Sequence, residues 1–101
     1  MNSAEQLIYA AASLLKADGD LEEALVVLGE AINVAGTSRR MLELIRAKTF
    51  RGELLVQMGR PAEAIADFGD VAALAELFDG DAAQIDEEAV ACRDWLLKLE
   101  E

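Results

Sequence analysis

Histidine and cysteine are the first side chains to consider for chemistry, and this sequence has very little of either. The 101 residues include no histidine, which removes the usual general base and any histidine-containing triad or metal site. The single cysteine, Cys92, has no partner for an internal disulfide, and nothing near it in the sequence would stabilise a thiolate. We therefore expect Cys92 to be a buried, unreactive thiol in a protein of the reducing cytoplasm.

Carboxylates are abundant, and one stretch of them has to be compared with a calcium loop. Asp79-Gly80-Asp81 is followed by Asp86-Glu87-Glu88, but the glycine and glutamate that an EF-hand needs at its sixth and twelfth positions are missing. We interpret this stretch as a turn and the acidic N-terminus of a helix, where negative charge is favourable. The sequence also lacks a glycine-rich phosphate loop. It therefore predicts no catalytic residue, no metal and no cofactor, and hence a protein that is not an enzyme.

The charge of the chain is strongly negative and unevenly distributed. The net charge is −11; residues 1–60 carry eight acids and seven bases, whereas residues 61–101 carry twelve acids and two bases. An acidic half of this kind repels phosphate backbones, so we expect no nucleic-acid partner. No apolar run is long enough for a membrane span, and the first residues lack the basic region of a signal peptide. The acidity itself fits either a solvated helical surface or an acidic docking face.

The elements that must position any site follow from a stretch that occurs twice. Residues 19–35 and residues 59–75 superpose when one is shifted by 40 residues. Such a period is typical of a helical repeat array. The positions that agree are Gly19 with Gly59, Glu23 with Glu63, Ala24 with Ala64, Leu28 with Phe68, and Gly29 with Gly69.

Apolar residues at helical spacing predict five helices and no strand, which makes the fold all-α. We expect the helices at about residues 3–17, 20–35, 39–58, 61–78 and 82–99. Ser3, Asp20 and Ser38 are the predicted N-caps. A small residue followed three positions later by a large apolar one recurs in the first, third and fifth helices: Ala12 and Leu15, Gly52 and Leu55, Cys92 and Trp95.

Gly29 and Gly69 lie inside predicted helices, where each glycine costs about 1 kcal/mol relative to alanine. Their recurrence at one repeat position suggests close approach of two helices, with a chance pair as the alternative.

Together these positions resemble the tetratricopeptide repeat. The resemblance implies a right-handed solenoid of helical hairpins in one domain of residues 1–101, with repeats at about 3–36 and 39–78 and a capping helix at about 82–100. It rests on two sets of residues, Ala12, Leu15, Gly19, Ala24, Leu28 and Ala31 in the first repeat, and Gly52, Leu55, Gly59, Ala64, Phe68 and Val71 in the second. Val71 replaces a small residue of the family pattern, and the period is longer than the usual length of about 34 residues.

The resemblance also implies a function, because the first helices of such repeats line a concave groove that binds an extended peptide or a partner helix. The positions implied for this groove are Gln6, Tyr9, Ser13, Lys16, Arg46, Thr49, Glu53, Gln57, Ala89, Arg93 and Leu96. Three of them are basic, which suggests an acidic ligand, unless these bases simply lie on solvated faces. The carboxylate clamp of chaperone-tail receptors is not expected, because Ala10, Phe50 and Val90 stand where its asparagine would be.

A second hypothesis is a self-assembling structural unit, and specifically a homodimer. Ile8, Val26, Val27 and Val34 are apolar positions that we expect a lone solenoid to leave exposed at its N-terminal end. Packing of two such ends would cover them and would keep the acidic halves apart. Scattered surface residues, or the docking site of a different protein, are the alternatives.

Overall fold

The computed structural model describes residues 3–17 and 19–100, and this part of the chain folds into helices connected by short turns. The five α-helices are α1 (Ala4–Ala17), α2 (Leu21–Thr37), α3 (Met41–Gln57), α4 (Pro61–Leu77) and α5 (Asp86–Leu99), and a short 3₁₀ helix (Ala82–Gln84) precedes α5. The all-α prediction is confirmed.

The first two helices begin where the sequence predicts. The hydroxyl of Ser3 accepts a hydrogen bond from the backbone amide of Gln6 at 3.2 Å, and the Gln6 side chain accepts one from the Ser3 amide at 2.9 Å. This reciprocal pair satisfies two backbone donors that a helix start leaves free. At the start of α2, a carboxylate oxygen of Asp20 accepts from the Glu23 amide at 3.0 Å.

The third helix begins later than predicted, and Ser38 does not cap it. Helix α2 continues through Thr37, and the backbone amide of Ser38 donates to the Val34 carbonyl at 2.9 Å. Arg39 then adopts a left-handed conformation (φ 56°), and the Arg40 amide donates to the Ala35 carbonyl at 2.9 Å. This pattern closes the C-terminus of α2 through backbone bonds at residues 38–40, and Arg40 is also the N-cap position of α3.

The turns at Gly19 and Gly59 were predicted to be equivalent, and they share a positive φ, 64° and 73°, but not their backbone hydrogen bonds. The Gly19 amide donates to the Leu14 and Leu15 carbonyls, whereas the Gly59 amide donates to Val56 and the Arg60 amide to Leu55. The turn that matches Gly59 is the one between α2 and α3, where Arg39 donates to Gly36 and Arg40 to Ala35. Helices α2, α3 and α4 consequently begin 20 residues apart, at Leu21, Met41 and Pro61.

Each helix packs against the next one in the chain, and α3 also contacts α1 and α5. The repeated residues form the core: Ala24 and Ala64, predicted to be buried, have no exposed surface, and neither do Leu28 and Phe68. Phe68 stacks on Trp95 with the ring centroids 5.8 Å apart, which ties α4 to α5.

The interpretation of Gly29 and Gly69 is wrong. A Cβ atom built on either glycine meets nothing within 4 Å, so no helix approaches them closely. The close approach occurs instead at Gly52, where a Cβ would lie 2.5 Å from Cε1 of Phe68. The first helix also departs from the repeat register: Ala12 is exposed, and Ala11 is the buried small residue.

The two helical hairpins are joined by different chemistry. In the second, Arg51 of α3 donates to both carboxylate oxygens of the buried Asp67 on α4, at 2.8 and 2.7 Å. Forty residues earlier the same positions hold Ala11 and Val27, which belong to one apolar cluster. Repeat positions that are ionic between α3 and α4 are therefore apolar between α1 and α2.

Candidate functional site

Two adjoining depressions form an open trough along α3 and α5, which we call the α3–α5 trough. The first, of about 460 Å³, is lined by Ile8 of α1 together with Arg46, Thr49, Phe50, Glu53, Glu87, Glu88 and Ala91. The second, of about 730 Å³, is lined by Arg46, Ala83, Gln84, Asp86, Glu87, Glu88, Val90, Ala91 and Asp94. The two adjoin along the residues that they share, Arg46, Glu87, Glu88 and Ala91.

The end of the trough near α1 offers apolar surface. Ile8 and Phe50 are half-buried there, and both pack against the cluster formed by Ala11, Ala24, Leu28 and Leu54. Because the rest of each side chain is held by this core, Ile8 and Phe50 present a fixed apolar surface to the trough.

Thr49 lies beneath this surface and is only 6% exposed. Its hydroxyl donates to the Ile45 carbonyl at 2.8 Å and lies 3.4 Å from Sγ of Cys92. The Thr49 hydroxyl is therefore already satisfied inside the fold, and Thr49 contributes to the floor of the trough and is not a free polar contact.

The walls of the trough carry a marked excess of negative charge. Five carboxylates line it, from Glu53, Asp86, Glu87, Glu88 and Asp94, against the single guanidinium of Arg46. Arg46 is itself engaged, since its Nε lies 3.6 Å from Oε1 of Glu88 and its Nη2 donates to the Gln84 carbonyl at 3.5 Å.

Trp95 connects one wall of the trough to the core. Its indole N–H donates to Oε2 of Glu53 at 3.3 Å, and its ring lies nearly parallel to that of Phe68. The ammonium of Lys98 lies 5.2 Å from the Trp95 ring centroid, within range of a cation–π interaction. Trp95 is the sole tryptophan of the sequence, so its emission reports on this wall of the trough.

Cys92 is fully buried next to Thr49. Burial raises the pKa of the Cys92 thiol, and the hydrogen bond with Thr49 offsets part of that rise. The thiol is therefore protonated at neutral pH, and it lacks the thiolate character of a nucleophile. Within residues 3–17 and 19–100, no three acidic or cysteine side chains are grouped so as to hold a metal ion, and no helix is long and apolar enough to cross a membrane.

Of the groove positions implied by the resemblance, the structure brings three together in the trough: Arg46, Thr49 and Glu53, all on α3. The α1 positions Gln6, Tyr9, Ser13 and Lys16 are exposed and lie outside its lining, as does Gln57 at the end of α3.

The α5 positions point elsewhere. Ala89 and Arg93 line a cleft against Ala72, Ala75 and Glu76 of α4, and Leu96 packs against the core cluster that contains Phe68. The three bases Lys16, Arg46 and Arg93 consequently do not share one surface, which removes the observation that suggested an acidic ligand.

The sequence comparison missed the α5 residues that do line the trough, chiefly Glu87, Glu88 and Ala91. The 40-residue shift assumes that α5 uses the same face as α3. In the structure the trough is instead lined by the edge of α5 that is turned toward α3. The available signal was the run of acids at the start of α5, which we interpreted only as a favourable helix N-terminus.

The four residues expected at a dimer interface differ in exposure. Val26 is 58% exposed, but Ile8, Val27 and Val34 are half-buried. These three pack against the cluster of Leu7, Ala31 and Ala47 between the first helices. Val26 is therefore the most exposed of the four, and the other three are partly covered by the packing of the first helices; the dimer interface itself stays a prediction.

Comparisons with protein-family models, with curated proteins and with solved structures give no match. The role of the α3–α5 trough therefore has to follow from its geometry and its charge.

Proposed function

We propose that this chain is a non-enzymatic protein–protein interaction module that holds a segment of a partner protein in the α3–α5 trough. The observation that supports this most is that the two depressions adjoin, which places the apolar surface of Ile8 and Phe50 beside carboxylates that line both of them. Peptide-binding surfaces combine apolar contacts of this kind with charged groups that fix orientation.

The scaffold that we propose for this module is a solenoid similar to the tetratricopeptide repeat, with two hairpins and a capping helix. Three features support it: a positive φ at both Gly19 and Gly59, buried small residues at Ala24 and Ala64, and contacts of α3 with both α1 and α5. In such a scaffold the first helices of successive hairpins lie side by side and leave a groove along their shared face.

The test is to fill the trough without changing its acidic groups. Ala91 lines both depressions and is partly exposed, so Ala91→Arg places a long side chain across their junction. Ala73→Arg is the matched control, because Ala73 is exposed on α4 outside the trough and receives the same new side chain.

Both variants and the wild-type chain are used to capture proteins from a cell extract, with circular dichroism to verify that each is folded. We expect partners that the wild type and Ala73→Arg retain to be lost from Ala91→Arg. A set of partners that is identical for all three proteins would place binding elsewhere on the surface.

Self-assembly is the second candidate, and the exposed apolar side chains of the first hairpin favour it. Tyr9 is 67% exposed and Val26 is 58% exposed. Light scattering on a gel-filtration column measures the mass directly, and Val26→Glu should dissociate a dimer that uses this surface. Val26 is a better position than Val27 for this test, since Val27 is part of the packing between α1 and α2. A mass near 10.9 kDa that does not increase with concentration rules this candidate out.

A further inference from the structure

We infer that the segment held in the α3–α5 trough is basic, with an apolar anchor side chain at one end and lysine or arginine residues beyond it. This inference rests on the proposed function and specifies the chemistry of its partner. It reverses the acidic ligand suggested by the sequence.

The charge of the lining carries the first step. Oppositely charged surfaces bind each other, and juxtaposed like charges are costly. Five carboxylates face the trough, and the one base among them, Arg46, already pairs with Glu88 and the Gln84 carbonyl. The remaining negative charge would repel an acidic segment, chiefly at Asp86, Glu87 and Asp94 of α5, whereas a basic segment would neutralise it.

The position of the apolar surface indicates where an apolar side chain of the bound segment would lie. Ile8 and Phe50 line only the depression next to α1, whereas Asp86 and Asp94 line only the depression beyond Glu88. The large apolar side chains are therefore confined to the end next to α1, whereas carboxylates line both depressions: Glu53, Glu87 and Glu88 line the first, and Glu87 and Glu88 line the second together with Asp86 and Asp94. A leucine or aromatic anchor fits the first end, and the long stems of lysine or arginine cover Val90 and Ala91 while their charged ends reach the carboxylates.

Two synthetic peptides of equal length test the inference: an amphipathic leucine–lysine peptide, and its counterpart with every lysine replaced by glutamate. Titration calorimetry measures the affinity, and Trp95 emission reports occupancy at Glu53, because neither peptide contains tryptophan. We expect the lysine peptide to bind more tightly than the glutamate peptide. We also expect its binding to weaken as salt is raised, since exposed charges are screened beyond about 10 Å at 0.1 M ionic strength.

Matched charge reversals locate the effect. Glu87→Lys with Asp94→Lys should weaken binding of the lysine peptide by about tenfold or more, since both residues are exposed and line the trough. Glu22→Lys with Glu30→Lys changes the net charge equally but lies on exposed positions of α2 outside the trough. This control should change the affinity by less than about threefold.

The outcomes separate the inference from the proposed function. Equal losses from the trough and control variants, or tighter binding of the glutamate peptide, overturn the basic partner. If Ala91→Arg nonetheless abolishes binding of either peptide, the trough remains the binding site. Failure of both peptides to bind refutes the basic partner. If Ala91→Arg also captures the same extract proteins as the wild type, the proposed function fails with it.

Discussion

Replacing glycine by alanine at three positions inside helices should change the stability of the protein in opposite directions. Gly29 of α2, Gly52 of α3 and Gly69 of α4 undergo the same chemical change, the addition of one methyl group. Alanine is favoured over glycine in a helix interior by about 1 kcal/mol at each position. What differs is the space into which the methyl group must fit.

At Gly29 and Gly69 the new methyl group meets nothing within 4 Å, so the full helix preference is gained. Each variant should be more stable by about 1 kcal/mol, which in a domain of this size raises the melting temperature by about 4–8 °C. The double variant should be close to additive, because the two positions share no partner.

At Gly52 the methyl group would lie 2.5 Å from Cε1 and 2.9 Å from Cδ1 and Cζ of Phe68. The Phe68 ring is fully buried and stacks on Trp95, so a shift of the ring would also disturb this stacking. Overpacking of a core costs about 1–3 kcal/mol, so the net change is destabilisation of up to about 2 kcal/mol after the helix preference is included.

Urea unfolding followed by far-UV circular dichroism measures all of these variants. A further variant identifies the cause: Phe68→Leu, which introduces the residue found at Leu28 in the first repeat, should reduce the penalty of Gly52→Ala when the two are combined. If Gly52→Ala is as stable as Gly29→Ala, or if Phe68→Leu leaves its penalty unchanged, the tight contact between α3 and α4 is not where the structure has it.

Three further predictions concern charged residues. Asp67→Ala should lower the free energy of unfolding in urea by about 2 kcal/mol, which is less than the loss of a fully buried ion pair would cost, because Arg51 is 30% exposed. The double variant Arg51→Ala with Asp67→Val introduces the residue types found at these positions in the first repeat and should recover most of this loss. Arg39→Gly should stabilise by about 1 kcal/mol, because the left-handed backbone at this position suits glycine; a lower melting temperature would contradict this. The hydrogen bond from Arg40 lowers the pKa of Glu43 below 4.5, so Glu43 stabilises the fold above that pH and less as the pH falls through the lowered value. Glu43→Gln should therefore be less stable than the wild type at about pH 7, and this difference should shrink as the pH falls through the lowered pKa of Glu43; a difference that does not change with pH would contradict the ion pair.

The sequence was sufficient for the helices because their signals are local. Apolar spacing and side-chain caps at Ser3 and Asp20 act within a few residues, and the structure has both caps. The boundary near Ser38 could not be predicted in this way, since it depends on Arg39 adopting a conformation that glycine normally supplies. The 20-residue spacing of the helix starts is therefore not visible in the sequence, because Arg39 takes the place that glycine has at Gly19 and Gly59.

The glycines show a second limit of reasoning from the sequence. A glycine inside a helix costs stability wherever it occurs. Gly29 and Gly69 therefore suggest a structural role for glycine in the sequence, but the sequence does not show what that role is. Only the positions of neighbouring side chains distinguish these open sites from Gly52, where Phe68 fills the space. The spacing of glycines in the sequence does not show which side chain of an adjacent helix lies next to each of them.

The trough departs from the repeat at the residues that give it chemical character. Across the 40-residue period Ala24 and Ala64 are identical, and both are buried between helices. In contrast, Phe50 corresponds to Ala10, and Glu53 corresponds to Ser13. Positions that hold two hairpins in the same packing have to stay similar, because a core accepts little change of volume. Phe50 and Glu53 are not fully enclosed by this core, so such side chains can change in size and charge with less disturbance of the packing.

The same reasoning explains why the α5 side of the trough was the hardest part to predict. Glu87 and Glu88 fall 40 residues after Ala47 and Lys48, which serve the packing of α3 against its neighbours: Ala47 is fully buried, and Lys48 pairs with Asp70 of α4. Glu87 and Glu88 instead line the trough, so at these positions acidic side chains stand where α3 has residues that serve packing. The features that specify the fold of this protein therefore repeat, and the charge that we propose selects its partner lies at positions that differ from one repeat to the next.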